Sequence, residues 1–267
     1  MLEAQLCWPL DQSAAILPHY SAWASALPQE MAAYGWYGAQ DIVGLSGTMF
    51  CTTIVYNGPF IQGTVIVWQA SWDCELTNTA GLPLLAPMMA LSPVVNYIDN
   101  LPFLDWELNV NGNFTAVEAR DAYIRSGFFP TNGLTEEVGQ IIASAMQSAP
   151  SAGSTVLWDH VGGAIASKTS TATSYVHRDA MFAYEVKAIW TDPSEEAANV
   201  QWALDLGNAL QPYLSGAYVN YIDPWLKNWQ EQYYGDNYEQ LLQVKAAVDP
   251  TNFFSFKQSV GSLYSPP

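Results

Sequence analysis

Charge is what this sequence has least of. Only 12% of its 267 residues are charged, and eight Lys and Arg stand against 25 Asp and Glu, a net charge of -17. A surface so poor in cations repels phosphate backbones and anionic lipid headgroups, which excludes nucleic acid and membrane surfaces as partners. Histidine and cysteine are also scarce. His19, His160 and His177, with Cys7, Cys51 and Cys74, lie far apart and in no metal-ligand spacing. Three cysteines without such spacing read as small buried hydrophobes rather than a disulfide framework. Every long apolar stretch is broken by Pro, Asn or Asp, and no basic patch precedes one near Met1, so neither a membrane span nor a signal peptide is expected. Adjacent glycines occur once, at Gly162-Gly163, and follow no phosphate-cradle pattern; a G-x-S-x-G elbow is absent too.

What the chain does have is apolar and aromatic mass. Half of the residues are hydrophobic, including 11 Trp, 15 Tyr and 10 Phe. That length and composition suit one unit over residues 1–267 with a sizeable core, without repeat or linker. The aromatic excess over core needs predicts a pocket for an apolar, aromatic or polycyclic small molecule.

Ala4 to Trp8 alternates as a strand, and Asp11 caps a helical run through Leu27. Tyr34–Gly38, Gly47–Tyr56 and Gly63–Gln69 are rich in β-branched and aromatic residues, so they predict consecutive antiparallel strands of one sheet, the last two joined by Asn57-Gly58-Pro59. Glu75 to Met89 predicts a Pro-broken helix. Strands are expected at Tyr123–Phe129, Val156–Ile165, Met181–Trp190 and Gly216–Ile222, with helices over Leu134–Ser148 and from Asp192 through Leu210. Asn113-Phe114-Thr115 is a glycosylation sequon, relevant only to a secreted chain. The expected fold class is α+β, a large and mainly antiparallel sheet with helices packed on one face and a pocket on the other.

The most informative stretch runs from Tyr233 to Gln258. Gly235-Asp236 makes a turn, Asn237 caps, Tyr238, Leu241, Leu242 and Lys245 share a helical face, and Asp249-Pro250 stops the helix. As a string it closely resembles the C-terminal segment of the berberine bridge enzyme family of FAD-linked oxidases, which ends in Y-G-x-N-Y-x-x-L-x-x-V-K-x-x-x-D-P-x-N-x-F-x-x-x-Q-S. Residues 216–262 are identified as that segment. The opening Trp8-Pro9-Leu10 and the strings around His160-Val161-Gly162-Gly163 and His177-Arg178 resemble the family's substrate domain, although Val176 stands where proline is usual. The family's R-G-G-H-type loop, which attaches flavin covalently, has no counterpart here. The resemblance therefore implies no cofactor for this chain, with FAD only if a separate flavin module supplies it.

In the family, a tyrosine of the Y-x-N-Y string acts on the substrate as base or proton donor. The match is Tyr218-Val219-Asn220-Tyr221, with Tyr221 as the functional ring. Strand alternation would put Tyr218 and Asn220 on one face and Tyr221 on the other. A phenol with a pKa near 10 donates a proton readily and accepts one only where a cation lowers its pKa. Arg125 and Lys187 are the candidate cations and Glu185 the candidate carboxylate; Tyr221, Tyr218, Arg125 and Glu185 form the catalytic set. Asn220, Tyr123, Trp158, His160, His177 and Tyr184 are the candidate substrate-binding residues, although a hydrogen-bonded structural role is the better reading of each histidine taken by itself.

Taken as complete from Met1, and then cytoplasmic, the chain reads as a cofactor-independent natural-product enzyme. Its reaction would be a cyclisation or isomerisation, in its most concrete form a Diels-Alder-type cycloaddition. The alternative is the substrate-binding part of an FAD-dependent oxidoreductase whose flavin module is a separate or removed polypeptide. A homodimer or that flavin module would cover the exposed sheet face.

Overall fold

The computed structural model describes residues 1–42, 45–58, 62–69, 72–78, 81–105 and 120–266. The sequon at Asn113 lies outside them. The nine described strands are β1 (Leu2–Pro9), β2 (Met31–Ile42), β3 (Leu45–Tyr56), β4 (Gln62–Gln69), β5 (Trp72–Asn78), β6 (Val95–Asn100), β7 (Asp121–Phe129), β8 (Thr155–His160) and β9 (Phe182–Trp190). Seven of them form one sheet in the order β6-β1-β3-β2-β8-β9-β7, and each pairing in it is antiparallel. This is the α+β architecture expected. β4 and β5 instead make their own two-stranded sheet. The expectation that Gly63–Gln69 joins the main sheet is thus corrected: only two residues separate β4 from β5, so the nearest partner is local. Likewise the helix expected from Glu75 begins only at α2 (Leu82–Met89).

The helices α1 (Leu10–Ser25), α3 (Glu136–Gln147) and α4 (Glu196–Leu210) cover one face of the large sheet. Alternation along the strands makes this possible, because Leu2, Ala4, Leu6 and Trp8 of β1 meet Ile16, Leu17 and Tyr20 of α1 in the core. α1 begins directly after Pro9, with Asp11 in its first turn rather than at the cap. Thr135 does cap α3, its Oγ1 accepting from the Val138 N–H at 3.3 Å.

Much of the aromatic excess is spent in this core. Phe50 stacks between Trp8 and Trp158 at centroid distances of 5.7 and 5.8 Å. Room for the Trp158 indole comes from Gly35 opposite it on β2, where a Cβ would stand 2.4 Å from Nε1.

Three further expectations are corrected on the opposite face and at the C-terminus. Cys7 and Cys51 are register partners on β1 and β3 and are joined by a disulfide. Adjacent strands brought two distant residues together, which sequence spacing could not show. Gly216–Ile222 is not a strand. Gly216 has φ +56°, the Tyr221 N–H donates to Tyr218 O at 2.9 Å, and Asn220 Nδ2 donates to the Tyr218 hydroxyl at 2.8 Å, so the segment closes as a turn. Beyond α5 (Trp229–Tyr234), Asn237 precedes α6 (Tyr238–Val248) without a side-chain cap. Its amide instead donates to Ser170 O and Thr173 O at 2.7 and 3.1 Å, tying down the loop after β8.

Candidate functional site

The face of the sheet away from α1, α3 and α4 carries the groups capable of proton chemistry. Alternation that buries Tyr184 and Val186 of β9 turns Glu185 and Lys187 outward, and their rungs on β7 and β8 are Ser126 and Leu157 for Glu185, Ile124 and Thr155 for Lys187. Lys187 Nζ lies 2.7 Å from Glu185 Oε1. Glu185 is only 3% exposed, and its Oε2 is buried without a hydrogen bond. Such a carboxylate oxygen is costly to leave alone.

Tyr221 stands beside it. Burial raises the Tyr221 phenol pKa, and the neighbouring Glu185 carboxylate raises it further. Tyr34 of β2 is raised by burial and then by Asp159 and Glu185. Asp159, at the rim of β8 opposite Tyr34, is raised by loss of solvent and by Glu185, against the pull of Lys187. Two carboxylates, one ammonium and two phenols thus share one electrostatic cluster. Its phenols are held in their protonated form near neutral pH.

Two adjoining cavities run across this face. One, of about 480 Å³, is bounded by Phe128, Tyr175, Arg178, Tyr218 and Tyr221. The other, of about 640 Å³, lies over Ala32, Tyr34, Thr53 and Val55. Asp159 and His160 line both, so the two form one groove with the polar cluster at its middle. Arg178 caps the first cavity, its guanidinium 4.7 Å from the Tyr175 ring centre and its donors spent on Thr173, Tyr175 and Ile165.

The structure brings together only part of the candidate set. Tyr221, Tyr218 and His160 line the groove, and Glu185 lies buried on the same sheet face beside Tyr221. Because the Tyr218–Tyr221 segment is a turn, both rings point to the same cavity, not to opposite faces. Trp158 and Tyr184 lie 0% and 1% exposed in the helix-side core, so strand alternation removes them from the groove. Arg125 is likewise on the helix side, where its Nε lies 3.1 Å from Asp223 Oδ2, and it is not the cation beside Tyr221. Lys187 is in the cluster, yet it pairs with Glu185, and the Tyr221 phenol is raised rather than lowered. Tyr123 donates to Asp223 Oδ1 at 2.8 Å and, with Asn220, lines a third cavity of about 490 Å³ at the β7 edge, on the other side of Tyr221 from the groove's Asp159 and His160 lining. His177 stacks on Phe128 at 4.0 Å, and burial lowers its pKa to about 4 against opposing backbone contacts at Tyr233 and Ala217. His160 is also lowered by burial and packs on Met181. Sequence reasoning passed over Tyr34 and Asp159. A lone carboxylate directly after the apolar run Val156–Trp158 was the available sign of Asp159.

Among the described residues no group of His, Cys, Asp and Glu is arranged to hold a metal ion, and no helix is long and apolar enough to cross a membrane.

Residues 217–261 match the family model "Berberine and berberine like". The chain is 34% identical over 181 residues to the uncharacterized FAD-linked oxidoreductase YgaK of Bacillus subtilis, covering 67% of this chain and 40% of that protein. It is 31% identical over 207 residues to the monolignol oxidoreductase AtBBE-like 13 of Arabidopsis thaliana, covering 72% of this chain and 34% of that one. The chain thus spans well under half the length of these curated relatives. Its fold superposes on Arabidopsis thaliana BBE-like 28 with a TM-score of 0.75 at 17% identity, over 98% of this chain and 57% of the other. On Phl p 4, a grass pollen allergen with glucose dehydrogenase activity, the score is 0.74 at 18% identity, over 99% and 55%. Relatives named as FAD-linked do not support the expectation of a chain without cofactor. Residues 217–261 thus carry a berberine bridge enzyme-like domain, the chain's curated relatives include FAD-linked oxidoreductases, and its fold is that of berberine bridge enzyme-like proteins.

Proposed function

We propose that the chain forms the substrate-facing part of an FAD-dependent oxidoreductase, and that Tyr221 and Glu185 together remove the proton of a substrate hydroxyl or phenol. The observation that carries this reading is Glu185, buried on the groove face with one oxygen on Lys187 and the other unpaired beside the Tyr221 phenol. The oxidoreductase relatives favour it over a flavin-free cyclisation, for which no groove feature speaks.

The groove fits a flavin ring in chemical terms. Its larger arm is a largely apolar sheet surface over Ala32, Tyr34 and Val55, Asp159 and His160 stand where it meets the other cavity, and the orphaned Glu185 oxygen is buried in the same sheet face. Tyr34, Thr53 and Val55 would hold the ring, and bound FAD would supply a hydride acceptor. The protein's own residues handle the proton. A Tyr221 phenol with a raised pKa is a poor free base, so it works as a relay: its oxygen takes the substrate proton as its own proton passes to Glu185. Lys187 holds one Glu185 oxygen and leaves the other free to accept. The substrate, an apolar or aromatic alcohol or phenol, would lie between Tyr175, Tyr218 and Phe128, which exclude water and orient the reacting oxygen.

The test is steady-state turnover of the protein purified with its flavin, across a panel of alcohols and phenols. Tyr221→Phe and Glu185→Gln should each lower kcat by roughly 10²- to 10⁴-fold, and the double variant should lose little more than either. Unchanged turnover in both single variants would sink the proposal.

A further inference from the structure

The turn that carries Tyr218 and Tyr221 packs through Tyr218 on Phe128 and Tyr175, and its side-chain anchors at both ends engage the edge strand β7. At one end the Tyr218 N–H donates to Ser126 Oγ at 2.8 Å, on the groove face of β7. At the other end Asp223, 3% exposed, accepts from the Tyr123 hydroxyl at 2.8 Å and pairs with Arg125 at 3.1 Å, both on the helix face of the same strand. The chain therefore crosses the edge of β7 between Tyr221 and Asp223. Arg125 is itself held from α4, donating to Leu204 O at 3.2 Å and Asn208 Oδ1 at 2.9 Å, and Gly207 leaves the space: a Cβ there would lie 2.8 Å from Nη1. Asp223 is tied a third way, since its N–H donates to the Tyr233 hydroxyl at 3.0 Å and its carbonyl accepts from Gln258 Nε2 at 2.8 Å.

An arrangement this redundant exceeds what closing an edge requires. One backbone pair, Phe128 with Ser215, already docks the segment to β7. We infer that Asp223 and Ser126 are positioning residues: pinned on both faces of β7, they set the Tyr221 hydroxyl against Glu185, and Asp223 acts on the site only through Tyr221. The inference rests on the Tyr221–Glu185 reading above and adds the device that holds the pair together. It also gives Arg125 and Tyr123 a place in the function, as the groups that fix Asp223. Because a buried ion pair with one partner removed leaves the other charge uncompensated, the gentlest perturbations are those that break a single pin.

The experiment is ¹³C NMR of the folded protein labelled at tyrosine Cζ and recorded at neutral pH, the Tyr221 and Tyr37 signals being assigned by Tyr→Phe replacement. Around the Tyr221 ring stand Glu185 and Lys187 on β9, Asp159 on β8, Tyr34 on β2 and Tyr218 on its own turn. Glu185→Gln removes the charge beside the phenol and so gives the direction in which the Tyr221 Cζ signal moves when that contact is lost. Ser126→Ala, Tyr123→Phe and Asp223→Asn should each move the Tyr221 signal in the same direction, while Tyr37 in the helix-side core stays fixed. Asp223→Glu should restore part of the parent Tyr221 shift. Should Asp223→Asn fail to fold, the other two variants decide the question, since each removes one hydrogen bond and buries no new charge. A Tyr221 signal unmoved in the folded variants overturns the inference, and so does a parallel shift of Tyr37, which marks general loosening. Glu185→Gln also separates this outcome from failure of the underlying reading: if it leaves the Tyr221 signal in place, the pair itself is wrong, whatever the pins do.

Discussion

Tyr218 and Tyr221 meet edge to face, with ring centres 5.5 Å apart and an interplanar angle of 78°. Three residues apart in a turn, they share one cavity, and Asn220 fixes the first by its hydrogen bond to the Tyr218 hydroxyl. Tyr221→Phe removes the hydroxyl beside Glu185. Tyr218→Phe removes an oxygen already engaged by Asn220, so it should raise KM several-fold and leave kcat within about tenfold. Steady-state kinetics on both variants checks the division. Equal kcat losses would assign the two phenols one shared step.

His177 makes stability depend on pH. Its folded pKa of about 4 lies below the unfolded value of 6.5, so the folded state prefers the neutral ring. Stability is then full above about pH 6.5 and falls as pH drops toward 4, by up to about 3 kcal/mol. His160 is lowered too and adds in the same direction. Urea unfolding at pH 7.5, 6 and 5 should show a smaller decline for His177→Gln than for the parent protein.

The Cys7–Cys51 disulfide closes a loop 44 residues long across adjacent strands. A loop of that length is worth about 4 kcal/mol of unfolded-state entropy. Replacing both cysteines by serine, or reducing the bond before denaturation, should lower stability by that order and leave the fold intact. Thermal unfolding with and without reductant measures it.

Trp158 tests the assignment of the two sheet faces. Packed between Phe50 and the space left by Gly35, it should act as core: Trp158→Ala should cost about 3–5 kcal/mol. At a temperature where the variant is folded, its KM should match the parent's. A large KM change in a stable Trp158→Ala protein would return this side chain to the substrate site.

The sheet was legible because β-branched and aromatic runs bounded by turns carry a local signal, and the helices because apolar spacing does. Face assignment was legible only where alternation was clean. Glu185, Tyr184 and Trp158 were all drawn to the pocket by chemistry alone, and it is alternation between buried Tyr184 and Val186 that keeps Glu185 there and removes the other two. The Tyr218–Tyr221 turn defeated alternation, because a glycine at positive φ and an asparagine bonding back to the Tyr218 hydroxyl decide it. Cys7 with Cys51 and Arg125 with Asp223 are long-range pairings, set by strand order and by the crossing of β7, which no local pattern contains. The identity of the C-terminal segment was readable as a string, ahead of any geometry.

The crossing at β7 has a consequence for engineering and for divergence within such a fold. The residues that shape the groove and those that shield the last strand belong to one short segment, from Ser215 to Trp225. A loop graft meant to change what the groove admits would therefore also have to reproduce the Phe128–Ser215 pair and the Asp223 anchor, or leave strand β7 open to a neighbouring molecule. Changes on β2 and β8 at Tyr34 and Asp159 carry no such burden, so variation in what is bound should accumulate there first.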